Sequence, residues 1–199
     1  SGPPSWMGNV SRARSAVAGI ATDLRRDGSG WLLLAVSLGW FLTLGVRVVY
    51  PALLPQVTAE FGVDNAPAGG FIGLLWTTYA LLQFPGGALA DAVGERLVLA
   101  GSVVLTLGAV CAIVLSDTLG LFVLATVLLG LGTGLYGTTR LTVISAVYDR
   151  METTAISLSQ AAGNVGNVVL SAGAGLVSVY LGWRWGFGYL VPLLLVSAV

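Results

Sequence analysis

Two charge-free apolar runs flank a ten-residue stretch, Gly87-Ala-Leu-Ala-Asp91-Ala-Val-Gly94-Glu95-Arg96. The first run extends from Pro67 to Ala90 and the second from Leu97 to Ser116. About 20 consecutive apolar residues in a helix cross the hydrocarbon core of a bilayer. Each run is therefore long enough to span, and the stretch between them reads as a very short polar hairpin joining two membrane helices. Gly94 suits so tight a turn because glycine adopts positive φ without steric cost.

Composition agrees with that reading. Of 199 residues, 56% are hydrophobic and only 9% are charged, against about 25% charged in soluble domains. The net charge is zero, so nothing draws the chain to nucleic acid. There is no His, which removes the commonest metal ligand and proton relay. The single Cys111 lies in an apolar run, where it reads as a small hydrophobe. No catalytic triad, metal cluster or phosphate-cradling glycine loop is present in the sequence. We therefore expect neither an enzyme nor a bound cofactor.

Hydropathy divides the chain in two. Residues 1–30 form a polar N-terminal tail in which Arg12, Arg14, Arg25 and Arg26 accompany Val17, Ile20, Ala21 and Leu24 at helical spacing. That pattern reads either as an amphipathic helix on the membrane surface or as a loose basic tail. Residues 31–199 read as a six-helix transmembrane domain, with spans near 31–54, 67–90, 97–116, 119–147, 155–182 and 185–199. The sixth is short at ~22 Å, and we expect it to continue past the last residue. With the N-terminus inside, the inner segments carry Arg12, Arg14, Arg25, Arg26, Arg96 and Arg150, and the outer ones only Arg184. Basic residues concentrate on the cytoplasmic side of membrane proteins. We thus expect a multi-pass cell-membrane protein with a cytoplasmic N-terminus. Glycines cluster in the fourth and fifth spans, among them Gly130, Gly134, Gly163 and Gly166, which favours close helix approach.

Two charges lie inside spans. Arg47 is ~24 Å along the first helix from Trp31, followed one turn later by Tyr50 and Pro51. An intramembrane Arg is costly unless it faces a cavity or a partner. An Arg beside a Tyr, in a helix that Pro51 can kink, suits a carboxylate or another anion; snorkelling to headgroups is the alternative. Arg140 lies ~10 Å from the inner end of the fourth span, one turn after Tyr136, and either lines a cavity or reaches cytoplasmic phosphates. Gln160, Asn164 and Asn167 share one face of the fifth span, as inter-helix hydrogen bonds or as a polar lining. The binding candidates are thus Arg47, Tyr50, Tyr136, Arg140, Gln160 and Asn164. No carboxylate lies deep in a span.

The stretch at Gly87 resembles the signature between the second and third helices of the major facilitator superfamily, Gly-x-Leu-Ala-Asp-Arg-x-Gly-Arg-Arg. Gly87, Leu89, Ala90, Asp91, Gly94 and Arg96 match; Ala92 and Glu95 depart from it. Tyr79-Ala-Leu-Leu-Gln83-Phe-Pro85-Gly86 and Gly182-Trp183-Arg184-Trp185-Gly-Phe187 are also typical of that family. The resemblance covers residues 31–199. It implies the N-terminal half of a twelve-helix secondary transporter, working by alternating access. It also implies that Gly87, Asp91, Gly94 and Arg96 form a cytoplasmic gate latch against a second half. The family's Arg-x-x-Gln-Gly in the fourth helix is absent, its positions falling on Thr126, Leu129 and Gly130. The Gly-Pro pair of drug/proton antiporters is also missing, since Asn167 follows Gly166. The expected partners are a small-molecule substrate, possessing negative charge on the argument from Arg47, the lipid bilayer, and either a C-terminal half or a second copy. The other reading is a non-transporting membrane interaction module that uses the glycine-rich faces.

Overall fold

The computed structural model describes residues 30–148 and 151–198. The N-terminal tail, read as a surface helix or a loose basic segment, and Arg150 lie outside these residues. Among the described residues the fold is all-helical: α1 (Gly30–Phe61), α2 (Asn65–Val93), α3 (Glu95–Val114), α4 (Leu119–Val147), α5 (Glu152–Leu181), α6 (Trp183–Gly188) and α7 (Leu190–Ala198). Four of them, α1, α3, α4 and α5, are long and apolar enough to cross a membrane.

Single glycines make two of the connections. Gly94 alone separates α2 from α3, at φ +95° and ψ 136°. Its N–H donates to the Ala90 carbonyl and its own carbonyl accepts from Val98, so both helices are capped through one residue. Gly182, at φ +86°, joins α5 to α6 in the same way, donating to Ser178 and accepting from Gly186. A Cβ is strained in this region of backbone space, at about 1–3 kcal/mol. Gly94→Ala should therefore lower stability by about that amount, read as a drop in the thermal unfolding midpoint in detergent.

Two helices differ from the lengths that hydropathy gives. α1 runs through Pro51 and Pro55 to Phe61 instead of stopping near Leu54. Each proline removes one intrahelical donor, yet Leu53, Leu54 and Val57 are buried there, and Thr58 Oγ1 donates back to the Leu54 carbonyl at 3.1 Å. Burial of that face outweighs the lost bonds. The final segment is two helices rather than one run from 185: α6 begins at Trp183 and ends at Gly188, and α7 follows after Tyr189. Pro192 carries no N–H for the Gly188 carbonyl, and the interruption falls at that carbonyl.

From Ala35 onward, α2 packs on α3 and α4, α3 on α4, α6 and α7, and α5 on α4 and α6. The main core is aromatic. Tyr50 stacks on Phe122 at 5.6 Å and meets the edge of Phe187 at 6.3 Å, with Val46, Leu53, Ile113 and Leu129 buried around them. Beyond this core, Arg184 and Trp183 tie three segments together. Arg184 Nη1 pairs with Glu60 Oε1 at 2.5 Å, and its Nη2 donates to the Ser116 carbonyl at 2.9 Å. Trp183 Nε1 donates to Glu60 Oε2 at 2.6 Å. An exposed ion pair contributes little by itself, but this one holds the end of α1, the α3–α4 turn and the start of α6 in register.

Candidate functional site

A second cluster lies along α1 and α4, on the side of the aromatic core away from Glu60. α1 supplies Trp40 and Arg47, two turns apart on one helix face. α2 supplies Trp76 and Tyr79, α4 supplies Tyr136 and Arg140, and α5 supplies Ser159 and Gln160. Both guanidiniums are withdrawn from the surface: Arg47 is 3% exposed and Arg140 is 4%.

Aromatic faces surround the charges. The Arg47 guanidinium carbon lies 3.9 Å from the Tyr79 ring centre, 5.1 Å from Trp76 and 5.5 Å from Trp40. The Arg140 guanidinium carbon lies 4.0 Å from Trp40. A cation over an aromatic ring within about 6 Å is attracted by the ring's negative face, more strongly where water is excluded. Trp40 in turn stacks with Tyr136 at 6.4 Å, and the Tyr136 hydroxyl donates to the Val36 carbonyl at 2.8 Å. Glycines make the room. A Cβ on Gly163 would overlap the Trp40 indole. One on Gly134 would meet the Tyr79 carbonyl at 2.6 Å.

The hydrogen bonding of the cluster is incomplete. Arg140 Nη1 donates to Ser159 Oγ at 2.9 Å, and Nη2 to Gln160 Oε1 at 3.4 Å. Gln160 Nε2 donates onward to Asn164 Oδ1 at 3.4 Å. Arg47 Nε and Nη1, Arg140 Nε, Trp40 Nε1 and Thr139 Oγ1 are buried without a hydrogen-bond partner among the described residues. Buried polar groups are nearly always paired in native proteins. A group of such atoms, most of them donors, is suited to an acceptor ligand. The described carboxylates, Glu60, Asp64, Asp91, Glu95, Asp117 and Glu152, all sit at helix ends or in the connections. Neither buried Arg has an ion-pair partner among the described residues.

The residues singled out from sequence are distributed as follows. Arg47, Tyr136 and Arg140 meet around Trp40, and Gln160 joins them through Arg140. Asn164 is exposed and enters through Gln160. Tyr50 belongs to the aromatic core, its hydroxyl bonded to Thr126 Oγ1 at 2.7 Å. Trp40, Trp76, Tyr79 and Ser159 were not among the sequence candidates. A signal was available in the i, i+7 spacing of Trp40 and Arg47.

In the hairpin stretch, Gly94 makes the turn, and Asp91 and Arg96 are exposed, with no ion pair between them among the described residues. Gly87 has open space where a Cβ would stand. Its neighbour Gly86 takes the close contact, where a Cβ would lie 2.7 Å from Thr138 Oγ1. That contact is two residues from Arg140.

Comparison with known proteins covers the same span. Residues 19–199 match the family model described as Major Facilitator Superfamily. Relatives in Salmonella paratyphi B, Salmonella heidelberg and Salmonella newport are each 30% identical over 176 residues, which is 87% of this chain and 37% of theirs. Each carries the name "Putative multidrug resistance protein MdtD". The chain thus spans little more than a third of the length of these curated relatives.

Proposed function

The chain belongs to the Major Facilitator Superfamily and is a multi-pass membrane protein, and from that premise we propose that it works as a secondary active transporter of a small organic anion by alternating access. One observation carries the substrate class. Arg47 and Arg140 are buried in apolar helices with unpartnered N–H groups and no facing carboxylate among the described residues. Intramembrane charges left in this state mark substrate or ion pathways. Transporter folds of this kind hold their substrate near the bilayer midplane between two bundles. The relatives' printed name, for multidrug resistance, fits small organic molecules as substrates, and the two guanidiniums narrow those molecules to anions.

In this reading the domain is six spans over residues 31–199, with α6 and α7 together as the sixth and the N-terminus cytoplasmic, in keeping with the arginine distribution. A second bundle, from the same polypeptide or a second copy, closes the path. Gly87, Asp91, Gly94 and Arg96 form the cytoplasmic latch against it. The exposure of Asp91 and Arg96 supports that role, since neither is engaged in an ion pair among the described residues.

The test is flux. The protein is reconstituted in liposomes, and movement of labelled organic anions, cations and neutral solutes is followed with and without ion gradients. Saturable movement confined to anions is expected. Movement of cations or neutral solutes alone overturns the substrate class, and stable partner binding without movement of any solute overturns the transporter reading.

A further inference from the structure

We infer that the ligand of the Arg47–Arg140 cluster is a divalent oxyanion held by both guanidiniums at once. The inference rests on the proposal that the cluster binds an anion, and adds the ligand's charge and its bridging geometry.

Proximity comes first. Both guanidinium carbons lie over the same indole, Arg140 at 4.0 Å and Arg47 at 5.5 Å from the Trp40 ring centre. They are therefore no farther apart than the sum of these distances, about 9.5 Å. Charge-assisted bonds reach about 2.8 Å from each nitrogen. One small ligand spans what remains, either as a phosphoryl group between the two cations or as two carboxylates on a short spacer.

Charge comes second. The hydrogen-bond acceptors on Arg140 are Ser159 Oγ and Gln160 Oε1, both neutral. The Trp40, Trp76 and Tyr79 rings lie against the two cations as well, and an aromatic face attracts positive charge without cancelling it; neither Arg has an ion-pair partner among the described residues. Two positive charges thus stand in an apolar interior, where an uncompensated charge is costly. A monovalent anion leaves one of them uncompensated, and a divalent anion balances both.

Donor count comes third. Arg47 Nε and Nη1 and Arg140 Nε have no hydrogen-bond partner among the described residues. These atoms only donate. An oxyanion with several acceptor oxygens satisfies them, whereas one carboxylate oxygen pair on Arg47 leaves Arg140 Nε unmet. Trp40 then acts as a positioning residue, its ring in contact with both guanidiniums.

The experiment compares matched pairs that differ in one charge: succinate with succinamate, and methyl phosphate with dimethyl phosphate. Binding to the purified protein is measured by calorimetry at about pH 8, above the carboxylate and second phosphate ionisations. At least one divalent member is expected to bind about tenfold or more tightly than its monovalent partner. The pair that discriminates identifies the dicarboxylate or the phosphoryl source. Arg47→Gln and Arg140→Gln should each bring the two members to similar affinity, while Arg47→Lys, which keeps the charge, retains a preference. Thermal melting confirms that each variant is folded. Equal affinity within both pairs in the unaltered protein overturns the divalent ligand and leaves an anion site standing. If none of the four binds, the inference falls, and the flux measurement decides separately on the transporter.

Discussion

Arg47→Gln is expected to weaken anion binding by about 30-fold to several thousand-fold, the range that follows from about 2–5 kcal/mol for truncating one side of a buried charged contact. Calorimetry on the detergent-purified protein measures it. The same variant should move ligand-free stability the other way. Arg47 is 3% exposed, has no ion-pair partner among the described residues and leaves Nε and Nη1 unpartnered. Replacing buried ions with apolar residues of similar volume is often neutral or stabilising, and Gln, though shorter, also removes the buried charge. Arg47→Met carries this further, since it fills the space beneath Trp76 and Tyr79 without any polar group. A melting midpoint at or above that of the unaltered protein, together with lost binding, is the pattern of a residue kept for function at the expense of stability. Arg47→Lys should fall between, because an ammonium keeps the charge but loses the planar fork and the stacking on Tyr79. A variant that loses stability and binding together would make Arg47 a structural residue.

The helices were legible because bilayer thickness imposes a length that apolar runs must meet. The turn at Gly94 was legible because one polar stretch between two such runs leaves little room for any other connection. The extension of α1 past Pro55 was not, because a proline is read locally whereas the burial of Leu53, Leu54 and Val57 is tertiary. For the same reason the break at Tyr189, four residues before Leu193 and just ahead of Pro192, is invisible to a hydropathy count.

In the site, charge made the difference. Arg47 and Arg140 stand out in an apolar sequence whatever surrounds them. Trp40, Trp76 and Tyr79 do not, because an aromatic ring in a membrane helix has the same composition whether it faces lipid, core or a cation. Tyr50 shows the converse. It is three residues from Arg47 in sequence, and Thr126 and Phe122 draw it into the aromatic core. Sequence proximity on a helix fixes an angular offset, and the neighbouring helix decides what occupies each angle.

Gly134→Ala should destabilise the protein by about 1–3 kcal/mol, the range for forcing an extra methyl into a packed interface, although alanine is the better helix former. The added Cβ would lie 2.6 Å from the Tyr79 carbonyl oxygen and 3.3 Å from Tyr79 Cα. These are backbone atoms, so no side-chain rotation relieves the contact, and α2 and α4 must move apart. Gly101→Ala is the matched control. Gly101 lies inside α3, is exposed, and has nothing within 4 Å of a built Cβ. There the helix propensity acts alone and should raise stability by about 0.5–1 kcal/mol. The two glycines thus predict opposite signs for one chemical change, read as melting midpoints in the same detergent. In lipid, helices gain little from burying apolar surface against each other, because the tails are equally apolar; close packing of backbones takes over that role. Gly134 also backs the residue whose ring lies over Arg47. Separation of α2 from α4 should therefore weaken anion binding as well as stability, whereas Gly101→Ala should leave binding unchanged. A Gly134→Ala protein as stable as Gly101→Ala would mean that α2 and α4 do not approach at this distance.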